Sequence, residues 1–234
     1  MANSALSKWL IAATSLLAIG VALTIFCKRG ATSHTRSSII AFGQKLLAND
    51  KIPTDLCDGD LIFQESTSGQ SEMVRELTRS RWTHMGVIVK RPSGSFVLEA
   101  ASPVRMTPLA RWIAHGRDGR YVVKRLRDAD LKLTPEVIGK MSKLGTTWLG
   151  RPYDLRFRWD DQALYCSELA YKLYERGAGI RIGQLQRASD MNLMDERVQR
   201  AIRTRFAGTL FDPAEPVVTP DSIFSDEQLV EVSH

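Results

Sequence analysis

Cys166 stands near the head of the stretch Tyr165-Cys166-Ser167-Glu168-Leu169-Ala170-Tyr171-Lys172-Leu173-Tyr174. Leu169, Ala170, Leu173 and Tyr174 recur at helical spacing and mark a buried stripe. The cysteine precedes that stripe by about one turn, near the positive end of the helix dipole. Unpaired amides and the dipole favour a thiolate there, so the position suits a nucleophile. Ser167 and Glu168 fit a first turn, and Gly177 and Gly179 are the expected stop.

A thiol nucleophile needs a base. Thr83-His84-Met85-Gly86-Val87-Ile88-Val89 is a β-rich apolar run with a histidine at its mouth. Ser95-Phe96-Val97-Leu98-Glu99-Ala100 follows and carries a carboxylate inside an apolar segment. The connector Lys90-Arg91-Pro92-Ser93-Gly94 is rich in turn residues, so the two runs are expected to form a hairpin. On paired strands Glu99 can hold the imidazole of His84, and His84 can take the proton of Cys166. The thiolate then attacks a carbonyl carbon to give an acyl-enzyme, which water or another acceptor resolves. A carboxylate in an apolar strand needs a partner, and His84 is the expected one. The backbone amide of Cys166 is the expected oxyanion donor. Gln64 and Tyr165 are weaker candidates for lining the pocket.

From about Leu56 to Phe224 the chain resembles the YiiX-type branch of the permuted NlpC/P60 papain-like cysteine hydrolases. The matching pieces, in order, are Gly59-Asp60-Leu61-Ile62-Phe63-Gln64, Thr83-His84-Met85-Gly86-Val87, Val97-Leu98-Glu99-Ala100, Gly150-Arg151-Pro152-Tyr153-Asp154 and Tyr165-Cys166-Ser167-Glu168-Leu169. The order His, Glu, Cys is the permuted one. The resemblance implies an α+β, circularly permuted papain-like fold, with an antiparallel sheet packed against helices. It implies a cysteine nucleophile acting on amide, ester or thioester bonds. It also implies a place for Tyr153 beside the nucleophile, supporting oxyanion or substrate, with packing as the alternative. Peptidoglycan stem peptides follow as the leading substrate by family analogy. Related permuted enzymes handle lipids, so a lipid acyl hydrolase or acyltransferase is the alternative. A non-catalytic binding module with the same fold is the alternative of another class. A groove lined with charges would favour peptides, and an apolar tunnel would favour acyl chains.

The chain has 234 residues, 44% hydrophobic and 25% charged, as a globular domain of ordinary composition does. The formal net charge is +6, but Lys8, Lys28 and Arg29 flank an N-terminal apolar run. The small excess that remains elsewhere argues against a nucleic-acid partner. Trp9 to Cys27 is uncharged and long enough to cross a bilayer. It reads as an uncleaved anchor ahead of a cleaved signal peptide, because no small-x-small cleavage pattern is clear. Basic residues at both ends leave orientation open. Family habit and a cell-wall or lipid substrate favour the non-cytoplasmic side. Residues 1–29 are thus the anchor or signal segment, 30–55 a linker with a lead-in helix, and 56–234 the hydrolase domain.

The cysteines are Cys27, Cys57 and Cys166. A Cys57–Cys166 disulfide is possible on paper, but it would abolish the nucleophile. Cys57, Cys166, His84 and His115 lack the short paired spacings of structural zinc sites, so no metal is expected. Phosphate-loop and dinucleotide fingerprints are absent, and no cofactor is expected. His115, at the end of an expected helix, is most simply a cation at a helix C-terminus.

Further elements follow from pattern. Leu61-Ile62-Phe63 is the first core strand, with Gln64 to Gly69 a loop. Gln70 to Arg79 is a helix with Met73, Val74 and Leu77 inward. Pro108 opens a helix over Leu109 to Ala114, and Tyr121 to Leu126 is a strand. Thr134 caps a helix that has Pro135 at its first position and runs to Trp148. Asp195 to Thr204 is a basic-faced helix. From Phe206 onward there is no Lys or Arg, and Val217, Val218, Ile223 and Phe224 suggest a tail that wraps the domain.

Overall fold

The computed structural model divides the chain into units 1–52 and 53–234. It describes residues 55–68, 71–205 and 212–232, all in the second unit. The apolar run Trp9 to Cys27, the linker and the lead-in helix lie outside the described residues. Among the described residues no helix is long and apolar enough to cross a membrane.

In chain order the elements are β1 (Leu61–Ser66), α1 (Ser71–Thr78), β2 (His84–Arg91), β3 (Gly94–Glu99), β4 (Arg105–Pro108), α2 (Leu109–Ala114), β5 (Gly116–Leu126), α3 (Ala129–Lys132) and α4 (Pro135–Trp148). Then come α5 (Cys166–Ala178), β6 (Gln186–Arg187), α6 (Glu196–Arg205), β7 (Pro216–Val217), α7 (Pro220–Phe224) and β8 (Leu229–Glu231). Six strands form one sheet in the order β4-β3-β2-β1-β5-β8. Every pairing in it is antiparallel. A second, two-stranded sheet pairs β6 with β7.

Burial explains the sheet. β2 is buried from Met85 to Val89, and β1 is almost wholly buried. Such continuous apolar runs mark strands covered on both faces. α5 packs on β2 and against α4, while α2 lies against β3, β4 and β5. The main core takes Phe63, Met85, Leu98, Trp148, Leu169, Leu173 and Tyr174. Burying each large apolar side chain is worth roughly 1.5–3 kcal/mol.

The expected hairpin is present, with Val87 opposite Leu98 and Arg91 opposite Gly94. Thr134 caps α4, accepting from the Val137 amide at 3.4 Å, and Pro135 is the first helical residue. Three expectations are corrected. Gln64, Glu65 and Ser66 continue β1, where a loop was expected. β5 starts at Gly116, well before Tyr121, because Gly116 pairs with Ser66 across a bulge. Gly177 lies inside α5, and Gly179 alone ends the helix, in the left-handed conformation at φ 71°.

Gly86 shows how tightly β2 meets β3. A Cβ there would sit 2.3 Å from Val97 Cγ1 and 2.8 Å from the Leu98 carbonyl oxygen. Neither neighbour can yield without moving β3, which carries Glu99. Gly86→Ala is expected to cost about 1–3 kcal/mol by overpacking and to lower activity more than stability alone explains. Denaturant unfolding read beside turnover checks this.

The tail does wrap the domain. Val217, Val218, Ile223, Leu229 and Val232 are buried. Phe224 packs edge-on to Phe63, with ring centroids 5.3 Å apart, and lies 4.6 Å from Trp82. β8 then adds an edge strand to β5, with Leu126 opposite Leu229.

Candidate active site

α5 begins at Cys166 because Tyr165 before it is extended, at φ −100° and ψ 167°. The Tyr165 amide donates to Glu168 Oε2 at 3.2 Å, and its carbonyl accepts from the Leu169 amide at 3.0 Å. The helix therefore starts with Cys166 among its orphan amides. Cys166 is 2% exposed. Burial alone pushes the thiol pKa up. Hydrogen bonding to His84, its charge, and the amides of Met85 and Ser167 outweigh that and hold the pKa below the usual thiol range.

His84 is the first residue of β2, opposite Gln64 of β1. Its Nε2 meets Glu99 Oε2 at 2.6 Å, which leaves Nδ1 as the nitrogen for Cys166. Burial pulls the imidazole down. Hydrogen bonds and charge from Cys166 and Glu99 reverse this and raise it to about 10. Glu99 is buried, which pushes its carboxyl up, but its bonds to His84 and Thr107 and the Arg105 charge bring it down to about 2. The Thr107 hydroxyl donates to Oε1 at 2.6 Å, Arg105 Nε to Oε1 at 3.2 Å, and Trp112 Nε1 to Oε2 at 3.0 Å. Trp112 also stacks on His84, with ring centroids 5.8 Å apart.

The pair has a defined pH window. Glu99 lies below its ordinary 4.5 and His84 above its ordinary 6.5. Their stabilisation is therefore fully present between those two values. It is lost toward pH 2 as Glu99 protonates and toward pH 10 as His84 loses its proton.

A thiol at a helix head, an imidazole on the neighbouring strand and a carboxylate fixing that imidazole form a papain-like arrangement in permuted order. The sequence model of the permuted papain-like amidase enzymes, YaeF/YiiX, C92 family, matches residues 55–233. The chain belongs to this family. It is 38% identical over 175 residues to YiiX of Escherichia coli K12, described as an uncharacterized protein; the match covers 75% of this chain and 85% of that one. A crystal structure described as metalloprotein yiiX, from Escherichia coli O157:H7, matches with TM-score 0.69 and 38% identity. That match covers 75% of this chain and 96% of the other. In this chain no group of three or more His, Cys, Asp or Glu side chains is placed to hold a metal ion, among the described residues. Cys57, Cys166, His84 and His115 do not form such a group. Both described cysteines are free, Cys57 at the surface and Cys166 buried, so the paper disulfide does not form.

Two recesses of this permuted papain-like domain flank the triad, one lined by Cys166 and the other by His84 and Glu99, and they share Val74 and Tyr153. One is a narrow apolar pocket with about 40 Å³ of free space. Cys166, Tyr165, Val74, Leu77, Val217 and Val218 are among its walls. The other is a polar cleft of about 420 Å³ on the His84 side. Tyr153 is half-buried and lines both. Its loop is clasped to the start of α5, because the Leu164 amide donates to the Pro152 carbonyl at 3.2 Å and the Asp154 amide to the Leu164 carbonyl at 3.1 Å.

Gln64 lines the polar cleft, 1% exposed, and its Oε1 has no hydrogen-bond partner among the described residues. Tyr165 lines the apolar pocket beside Cys166, and its hydroxyl accepts the Val218 amide at 3.2 Å, which ties the tail to α5. His115 is exposed on the polar cleft, and the imidazole that meets Cys166 is His84's.

Thr107, Trp112 and Arg105 were not singled out from the sequence. The one signal was Glu99 itself, a buried acid that needs more partners than a single histidine supplies.

A depressed thiol pKa has a direct readout. Iodoacetamide at pH 6 is expected to label buried Cys166 about tenfold faster than exposed Cys57, since the thiolate is the reacting form. His84→Ala should reverse the order. Equal labelling of the two cysteines by peptide mass mapping would argue against an activated Cys166.

Proposed function

We propose that the protein is a cysteine amidase in which Cys166 is the nucleophile, His84 the base and then the acid, and Glu99 the group that holds His84. The observation that carries this is the continuous contact from Cys166 through His84 to Glu99, with His84 and Glu99 2.6 Å apart. The thiolate adds to the carbonyl carbon, and the Cys166 amide stands where the oxyanion forms. His84 gives its proton to the departing nitrogen as the carbon–nitrogen bond breaks. Water, deprotonated by His84, then releases the acid from sulfur.

The recesses bear on the substrate. The acyl part stays bonded to Cys166 sulfur and so belongs in the apolar pocket. The leaving amine takes its proton from His84 and so belongs in the polar cleft. An apolar wall beside the nucleophile favours a lipid-type acyl group over a cell-wall stem peptide. The free space fits a short apolar group. A longer chain needs α1 to shift, and α1 packs with α6 in a satellite cluster apart from the main core. An N-terminal anchor would hold the domain beside such lipids, on the non-cytoplasmic side.

The test uses the full chain. An octanoyl amide should be cleaved at least about tenfold better in kcat/KM than the acetyl amide of the same amine. Faster cleavage of a stem peptide than of either amide would return the substrate to the cell wall.

A further inference from the structure

The polar cleft carries a charge pattern that catalysis does not use. Its walls bring many hydroxyls, among them Ser66, Thr83 and Ser102, and the side chains of Arg105 and His115. Among the described residues Glu99 is the only carboxylate lining it. Glu99 is fully engaged by His84, Thr107, Arg105 and Trp112, so it offers the cleft no free negative charge.

Arg105 engages Glu99 and Thr107 through Nε alone, at 3.2 and 3.1 Å. Its two terminal nitrogens have no hydrogen-bond acceptor among the described residues, and its side chain is 45% exposed. A guanidinium fixed at one edge presents its other edge as a fork, which suits a carboxylate or phosphate.

We infer that the polar cleft is a leaving-group subsite for an anion, read by Arg105, with His115 lining the same cleft. The inference rests on the amidase reading above, because that reading places the departing amine on the His84 side. The substrate is then an amide between an apolar acid and an amine that bears a carboxylate or a phosphate. Its carbon–nitrogen bond breaks, His84 protonates the nitrogen, and the anionic amine leaves along Arg105.

Alkylation of Cys166 in the full chain tests this without turnover. Iodoacetate and iodoacetamide each form one sulfur–carbon bond and release iodide. They differ only in carrying a carboxylate or a neutral amide. Arg105→Gln should lower the ratio of iodoacetate to iodoacetamide rates at Cys166 about tenfold, and Arg105→Lys should restore part of it. The ratio cancels any loss from a loosened Glu99, which slows both reagents alike. An unchanged ratio overturns the subsite and leaves the nucleophile standing. No labelling of wild-type Cys166 by either reagent overturns the nucleophile, and the subsite with it.

Turnover of N-octanoylglycine, N-octanoyl phosphoethanolamine and neutral N-octanoylglycinamide then separates the anions. A preference for the first or second names carboxylate or phosphate. A preference for the neutral amide overturns the subsite. Where none is cleaved, the alkylation ratio decides.

Discussion

Cys166→Ala is expected to lower kcat/KM for an amide by about 10⁴-fold or more while the fold persists. Nucleophile and base act as one unit, so removing either costs nearly the whole chemical advantage. His84→Ala should therefore match Cys166→Ala within about tenfold, and the double variant should be little worse than either. Stability should change little at Cys166, since a small side chain is replaced by one slightly smaller. Turnover by Cys166→Ala above about one percent of wild type would remove the cysteine from the mechanism. Multiplying losses in the double variant would separate His84 from it.

Lys172→Ala should be the most destabilising single change in α5, at about 3–5 kcal/mol. Lys172 is 1% exposed and lies within a shell of acceptors. Its Nζ donates to Glu168 Oε1 at 2.6 Å, to Asp161 Oδ1 at 2.9 Å and to the Asp160 carbonyl at 2.8 Å. It also sits 4.7 Å from the Trp159 ring centroid. Removing it strands Glu168, which is 0% exposed.

Glu168 already titrates high. Burial pushes it up to about 8 against the pull of Lys172. Between its ordinary 4.5 and that value the folded state binds the proton more tightly, so this group's contribution to stability falls as pH rises. Without Lys172 the carboxyl is pushed higher still, so the fall should extend to higher pH, and the deficit should be larger at pH 9 than at pH 6. Denaturant midpoints at the two pH values measure it. A loss under about 1 kcal/mol at both would mean that water reaches Glu168. Replacing both partners with apolar residues should recover most of the loss. Because Glu168 Oε2 also accepts the Tyr165 amide, the single variant should slow Cys166 labelling as well.

The features legible in the sequence were those whose cause is local. The turn-rich Lys90–Gly94 connector announced the hairpin. Thr134 and Pro135 announced α4. Cys166 ahead of an apolar stripe announced the head of α5. With order along the chain, these sufficed to nominate His84, Glu99 and Cys166, and the structure brings the three together. What stayed hidden depends on partners distant in sequence. Gly116 to Arg120 are polar and glycine-rich and look like a loop, yet Gly116 is held in β5 by pairing with Ser66. The burial of Lys172 has no local cause in the sequence, because it depends on Trp159, Asp160 and Asp161 of the preceding loop. Glu99's ties to Thr107 and Trp112, and the apolar pocket built from six separate segments, come only from tertiary packing.

The tail gives the domain a timing. Val217, Val218, Thr219 and Pro220 wall the apolar pocket, and Leu229 to Glu231 complete the sheet beside β5. A nascent chain that has released His84, Glu99 and Cys166 from the ribosome still lacks one side of its substrate pocket. A chain cut before Val217 is expected to keep Cys166, His84 and Glu99 yet to lack one wall of that pocket, and so to turn over an apolar acyl amide more slowly than the full chain.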